Sequence, residues 1–412
     1  MEELHPRCAG IDIGKRSAMV CIRTHDPDAG GLAEQTRTWG TMTSDILALR
    51  EELIAARVTC VVMEATSDYW RPFYYLLEDL PECQVLLVNA RHVRNVPGRK
   101  SDVNDAKWLA QIGAHGLLRA SFVPPPRVRQ LRDLTRTRTQ IVRERAREVA
   151  RLEKLLEGAG IKLSSVISDL TGKSGRAMLL ALADGERDPQ VLAGLAHLRM
   201  RGKQAQLVQA LTGFFTTHHG FLVRTHFTLI DAHDQAIAEI TARIEEEIEP
   251  FRGFRELICS IPGISTTVAD IVIAETGGDM SIFPTAGHLA SWAGVCPGIN
   301  ESAGVHKAVH VLPGNKHLKG ALGIAALSAS RSKNTFYAAK YKRLKARRGG
   351  KRALVALEHT MLTTIWTMAH TGALYDDPGA DYYQRQHPER ATRRHVKELQ
   401  RLGYDVTLQK AS

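Results

Sequence analysis

Cysteine is scarce in this chain and never paired in sequence: Cys8, Cys21, Cys60, Cys83, Cys259 and Cys296 form no CxxC and stand mostly inside apolar runs. This excludes a zinc cluster or a disulfide framework and reads as buried thiols in a reducing compartment. Long apolar runs are missing too. No stretch of about 18 uninterrupted apolar residues occurs, and the Met-Glu-Glu start opens no secretory leader, so the expectation is a cytosolic protein with no membrane partner. A nucleotide loop is lacking as well. Gly172-Lys173-Ser174 would need a glycine five places earlier, where Ile167 stands. From Ser302 to Leu357 acid is absent altogether.

What is present begins with size. A length of 412 residues implies two or three hydrophobic cores, and 44% hydrophobic with 24% charged residues describes a folded chain. The net charge of +11 favours a polyanionic partner. The acid-free stretch holds 13 Lys or Arg, ten of them between Arg331 and Arg352. A solvated surface would mix signs, so this stretch is expected to bind nucleic acid through Lys316, Lys319, Arg331, Lys333, Lys342, Arg343, Arg347, Arg348, Lys351 and Arg352. Phe336, Tyr337 and Tyr341 are then available for base stacking. His306 and His310 lack nearby acids or thiols and fit nucleic-acid contact better than a metal.

Periodicity divides the chain. Apolar runs at Ala9–Ile13, Ala18–Ile22, Thr36–Thr41, Cys60–Met63 and Val85–Val88, with helical spacing over Leu47–Ala56 and Tyr69–Leu80, predict a mixed sheet flanked by helices over residues 1–125. Pro124, Pro125 and Pro126 mark a boundary. Leu131, Leu134, Ile141, Val149, Leu152 and Leu156 predict one long helix over Arg127–Glu157, and the spacing from Val223 to Ile248 predicts a second. These suit a coiled-coil arm over residues 126–250, either a dimerisation device or two helices packed within one chain. Residues 251–375 read as a further helical domain, and 376–412 as a basic tail. The turn Ile261-Pro262-Gly263-Ile264-Ser265 resembles that of a helix-hairpin-helix, which holds phosphate at a helix N-terminus; a plain helix-breaking turn is the alternative.

Four carboxylates stand out by placement. Asp12 lies in the strand Gly10-Ile11-Asp12-Ile13, Glu64 ends Cys60-Val61-Val62-Met63, and Asp102 and Asp105 share a face at the start of a helix. If the strands are neighbours, the four acids can converge. Such crowding is unfavourable without cations, and two Mg²⁺ ions would resolve it while serving phosphoryl transfer. Each acid also has a plain reading: Asp102 as an N-cap, Asp105 beside the helix dipole, Asp12 and Glu64 as polar strand ends.

The order GIDIGK, VVMEAT, KSDVNDAKWLA resembles the DEDD, RuvC-like domain of the insertion-sequence transposases of the family numbered one hundred and ten. SIPGISTTVADIVIAETG, FPTAGHLASWAGVCPGINESAG and LPGNKHLKGALGIAAL resemble that family's C-terminal transposase domain. The resemblance covers most of residues 8–112 and 255–330. It implies a ribonuclease-H-like first domain in which Asp12, Glu64, Asp102 and Asp105 are catalytic Mg²⁺ ligands. It also implies a serine nucleophile, Ser302 in Asn300-Glu301-Ser302-Ala303-Gly304, which residue type alone would read as a turn. It further implies cutting and rejoining of donor and target DNA, guidance by a structured bridge RNA, and a homodimer or tetramer working on the bacterial nucleoid.

Rival readings remain at this point. Asp-x-Gly after a first strand also opens actin-like kinases, but their second phosphate loop and adenosine site are missing. A nucleic-acid-binding scaffold would leave the four acids idle. A Piv-like site-specific invertase shares the same two domains, and a RuvC-like junction nuclease would dispense with the serine.

Overall fold

The computed structural model describes residues 3–26, 31–65, 67–89, 101–298, 301–302, 304–306, 311 and 313–409. The chain divides into two units, residues 1–123 and 124–412.

The first unit is built on strands β1 (Arg7–Ile13), β2 (Ser17–Asp26), β3 (Gly31–Gly40), β4 (Cys60–Glu64) and β5 (Gln84–Val88). They lie in the order β3-β2-β1-β4-β5. β2 pairs antiparallel with β1 and β3, while β4 is parallel to both β1 and β5. The sheet's halves follow from the connections: tight turns join β1 to β2, whereas helices α1 (Thr43–Ala55) and α2 (Trp70–Leu77) provide the longer crossovers that parallel pairing requires. The two faces are separately packed. Ala9, Ile11, Ile13, Val61 and Met63 meet Ile46, Leu49 and Leu53 of α1 and Phe73 and Leu77 of α2. Cys8, Cys60, Val62, Leu86 and Val88 meet Leu109 and Ile112 of helix α3 (Asp102–Ala114). Strands buried on both faces read as continuous apolar runs, which is why β1 and β4 were visible in sequence.

Beyond Pro124 the chain is helical. Pro126 starts α4 (Pro126–Gly158), a position where a missing N–H costs nothing. The helices α5 (Lys173–Ala183), α6 (Pro189–Gly194) and α7 (Gln204–Ala210) lead to α8 (Thr217–Glu247). α4 and α8 pack antiparallel within the chain, the second of the two arrangements their periodicity allowed. Arg138 Nε donates to Thr241 Oγ1 at 2.8 Å, Arg145 pairs with Asp234 at 2.5 Å, and Glu148 meets His226 at 2.6 Å, in opposite sequence order along the two helices. Two of the nine arginines of α4 are thereby engaged across the helix pair. The tip of the arm has its own core, with Leu152 and Leu156 against Val223, Phe227 and Ile230.

At its base the arm shares a core with the helices that follow: α9 (Arg252–Cys259), α10 (Thr266–Thr276), α11 (Ala286–Ala293), α12 (Lys316–Arg331), α13 (Phe336–Arg348) and α14 (Gly350–Thr371). Leu131, Ile244 and Ile248 join Ile258, Val272, Leu322 and Met361 in one cluster. Between α11 and α12 a short hairpin pairs β6 (Glu301–Ser302) with β7 (Val305–His306). The tail is helical rather than extended, with α15 (Tyr382–Gln386) and α16 (Pro388–Arg401). Among the described residues no helix is long and apolar enough to cross a membrane.

Candidate active site

Glycine at position 10 decides how α3 meets the sheet. A Cβ there would stand 2.2 Å from Ala106 O and 2.4 Å from Ala110 N, so only glycine lets the helix backbone rest on β1. Farther along, a Cβ at Gly113 would meet Cys8 Sγ at 2.8 Å and Val62 Cγ2 at 2.5 Å. As α3 proceeds it thus moves from residue 10 of β1 back towards residue 8. Its first turn consequently points to the end of β1 where Asp12 stands.

Side chains alternate along a strand, so Asp12 shares the α3 face with Cys8 and Gly10, and Glu64 shares it with Cys60 and Val62. β1 and β4 are in register through Ile11 and Met63, and Asp12 and Glu64 are the next residue of each strand. Asp102 and Asp105 precede Ala106 and Leu109 by four positions each, which continues the sheet-facing stripe of α3 beyond the sheet. The N-cap is Ser101, whose hydroxyl accepts from Asn104 N at 3.3 Å. Asp102 is therefore not the cap that its position allowed; it is the first helical residue, with an exposed side chain, while Asp105 is half-buried.

The structure thus brings Asp12 and Glu64 side by side and aims the first turn of α3 at them. All four are hard oxygen donors suited to Mg²⁺. Among the described residues, however, no group of three or more His, Cys, Asp or Glu closes into a metal-holding set. The donor chemistry and shared face fit the ion, and the convergence of all four is not present in this arrangement.

Ser302 lies on β6, its backbone paired with Val305, and Gly304 makes the turn with a left-handed φ of 77°. His310 lies outside the described residues. The turn at Gly263 packs inward: with φ at 92°, a Cβ would approach Ala325 O to 2.5 Å and Ala329 N to 2.7 Å on α12. Its glycine is required by that backbone contact. Ser265 then caps α10 by accepting from Val268 N at 3.4 Å.

The basic stretch is displayed as its composition suggests. Lys316, Arg331, Lys333, Lys342, Arg343, Arg347, Arg348, Lys351 and Arg352 are exposed, and Lys319 is half-buried. Contrary to the expectation of base stacking, Tyr337 and Phe336 are packed inside the molecule. Tyr337 is fully buried, stacked on Tyr375 at 5.6 Å, and its hydroxyl donates to Thr364. Phe336 packs against Tyr382 and Tyr383 of the tail, and Arg343 lies 4.2 Å over the Tyr383 ring. The first turn of α13 faces the core, which overrides any surface role that sequence could assign.

Two buried acids carried no sequence signal. Asp270 lies at the arm's base, where Arg255 Nη2 donates to its Oδ2 at 3.1 Å; the Arg255 Nε to Oδ1 approach of 2.8 Å is an ion-pair contact without hydrogen-bond geometry. Burial pushes its carboxyl up to about 6, against the pull of Arg255. Glu275, on α10, is completely buried among arginines. Both sit inside apolar helical runs, where a lone acid gives no hint of its distant partners.

Comparison with known proteins agrees with this layout. Residues 9–161 match a model of the DEDD transposase domain of IS110 elements, and residues 255–342 match a model described as transposase of the IS116/IS110/IS902 family. The chain is similar to the 43.6 kDa protein of insertion element IS110 from Streptomyces coelicolor, at 29% identity over 153 residues, or 36% of each chain. It is also similar to the 42 kDa protein of insertion element IS900 from Mycobacterium paratuberculosis, at 27% identity over 322 residues, which is 71% of this chain and 78% of that one. The first of these matches spans only about a third of the relative's length. Residues 9–161 and 255–342 are thus each similar to a transposase domain of the IS110 family.

Proposed function

We propose that the protein is an insertion-sequence recombinase that cuts and rejoins DNA strands, using a Mg²⁺-binding acidic site and Ser302 as nucleophile. The observation that carries this reading is the placement of Asp12 and Glu64 at adjacent ends of β1 and β4, on the face towards which α3 directs Asp102 and Asp105. The order β3-β2-β1-β4-β5, half antiparallel and half parallel, supports a ribonuclease-H-like first domain. Asp12, Glu64, Asp102 and Asp105 would hold the ion. When bound there, Mg²⁺ supplies positive charge to the scissile phosphate and to the departing 3′ oxygen.

Ser302 Oγ forms the new bond to phosphorus as the bond to the 3′ oxygen breaks. The serine proton passes to a base or solvent, and the departing oxygen takes one up. A phosphoserine linkage conserves the phosphodiester energy, so a second 3′ hydroxyl can reverse the step onto a new strand without an external source of energy. The exposed basic residues of α12, α13 and α14 supply the affinity for DNA backbone and for a guiding bridge RNA. A homo-oligomer, dimer or tetramer, completes the reading.

The test is direct. Ser302→Ala is expected to keep DNA and RNA binding yet form no protein–DNA adduct, and Asp105→Ala to lose strand cleavage while keeping affinity. Mass spectrometry of trapped, nuclease-digested complexes locates the adduct. An adduct on another residue, or recombination persisting in Ser302→Ala, overturns the serine; full activity in Asp105→Ala overturns the metal site.

A further inference from the structure

Glu275 stands next to the end of α10 and its carboxylate is fully buried. It accepts both prongs of Arg136, Nε to Oε1 and Nη2 to Oε2, at 2.8 Å each. Asn315 Nδ2 donates to Oε2 at 2.6 Å. Arg132, one turn earlier on α4, donates from Nη2 to the Glu275 backbone oxygen at 2.8 Å and from Nε to Ala274 O at 3.0 Å. Burial pushes the Glu275 carboxyl up, but Arg136, Asn315 and Arg132 together hold it below the ordinary carboxylate range. It is a charged acid tied to two arginines of the arm and one amide.

The amide faces two ways. Asn315 Oδ1 accepts from the N–H groups of His317 and Leu318 at 3.0 Å, which caps α12. A cap alone needs only an acceptor, and serine or aspartate would serve equally. The donor end of asparagine is needed for Glu275. Just before it, Gly314 lies against the end of α11, where a Cβ would be 2.3 Å from Ala293 O and 2.4 Å from Gly294 N. On the outgoing side Val295 N donates to Ala290 O at 3.1 Å. The segment that leaves α11 at Gly294 therefore returns to the same place at Gly314, and Ser302 stands between these pinched ends.

We propose that Arg136, Glu275 and Asn315 form a positioning clamp that fixes the root of the Ser302 hairpin to the arm helix α4. The inference rests on Ser302 being the nucleophile. Stability is a poor explanation for such a cluster, because buried ion pairs are often no better than apolar packing. Orientation is a better one: in-line attack tolerates little error, and a misplacement of about 1 Å costs on the order of a hundredfold in rate. In this role each of the three acts through the chain that carries the serine.

Asn315→Ser tests the clamp, since serine keeps the cap but cannot reach Glu275, and Arg136 still satisfies the carboxylate. In the full-length protein with its DNA, the Ser302 adduct is expected to form at least about tenfold more slowly, with DNA affinity and melting temperature close to wild type. The double variant E275Q/N315D restores a donor facing an acceptor between the two positions, with the amide now on position 275, while Arg136 keeps only its bond to the remaining oxygen, and is expected to recover part of the rate. Adduct formation at the wild-type rate in Asn315→Ser overturns the clamp. So does a parallel fall of adduct, affinity and melting temperature that the double variant fails to relieve. Absence of any Ser302 adduct in the wild type overturns the serine reading itself, a distinct outcome.

Discussion

Gly10 shows how much a single residue can decide. Its missing Cβ lets α3 lie on β1, and that contact sets the first turn of α3, which carries Asp102 and Asp105, towards the strand ends. Gly10→Ala is expected to destabilise the protein by about 3 kcal/mol, because the intruding carbon meets backbone and not a yielding side chain; urea unfolding measures this. Asp270 makes the opposite kind of statement. Its folded pKa of about 6 lies above the unfolded value of about 3.9. The folded state therefore holds a proton that the unfolded chain has lost. Any stability from that proton is present at low pH and disappears as pH rises through about 6. Arg255, Glu245 and Arg138 face the carboxyl and set its environment. Melting temperatures of Asp270→Asn and wild type are expected to diverge in the variant's favour as pH climbs from 4 towards 7; curves that stay parallel would show that Arg255 offsets the burial.

At the scale of elements, the two long helices and the basic helix use the same residue type differently. On α4, Arg132, Arg136, Arg138 and Arg145 are turned inward or across to α8, bound to acids, hydroxyls or carbonyls of the same chain. On α13, Arg347 and Arg348 are exposed in a stretch with no acid to pair with. Charge alone does not distinguish them; the presence of partners across the helix interface does. Replacing both Arg347 and Arg348 by glutamate is expected to weaken DNA binding and to flatten its salt dependence by roughly one unit per lost phosphate contact. Titrations at several salt concentrations check this, and an unchanged slope would place the two arginines outside the nucleic-acid footprint.

Across the whole molecule, the hydrophobic clusters respect the division at residues 123 and 124. The sheet's two faces are covered by α1, α2 and α3 of the same unit, while the arm's base and α9 to α14 form another core. Residues 1–123 expressed alone are accordingly expected to fold, with a cooperative thermal transition and mixed α/β circular dichroism. A non-cooperative melt would show that the second unit is needed to complete the first.

The sequence by itself determined the elements whose signal is local. Val61, Val62 and Met63 announce a strand buried on both faces, Leu152 and Leu156 announce a helix stripe, and three prolines announce a boundary. It also singled out four acids by their placement at strand ends and at a helix start, where crowding is unfavourable without cations. The family motifs, and no physical pattern, singled out Ser302. Only the tertiary structure decided which strands are neighbours, and with that which strand ends bearing acids lie side by side, because pairing depends on contacts distant in sequence. It alone turned Tyr337 inward, gave the N-cap to Ser101, packed α4 and α8 within one chain, and joined Glu275 to Asn315 across 40 positions. Periodicity records how a segment divides solvent from core, but not which distant segment forms that core; that information exists only once the chain has closed on itself.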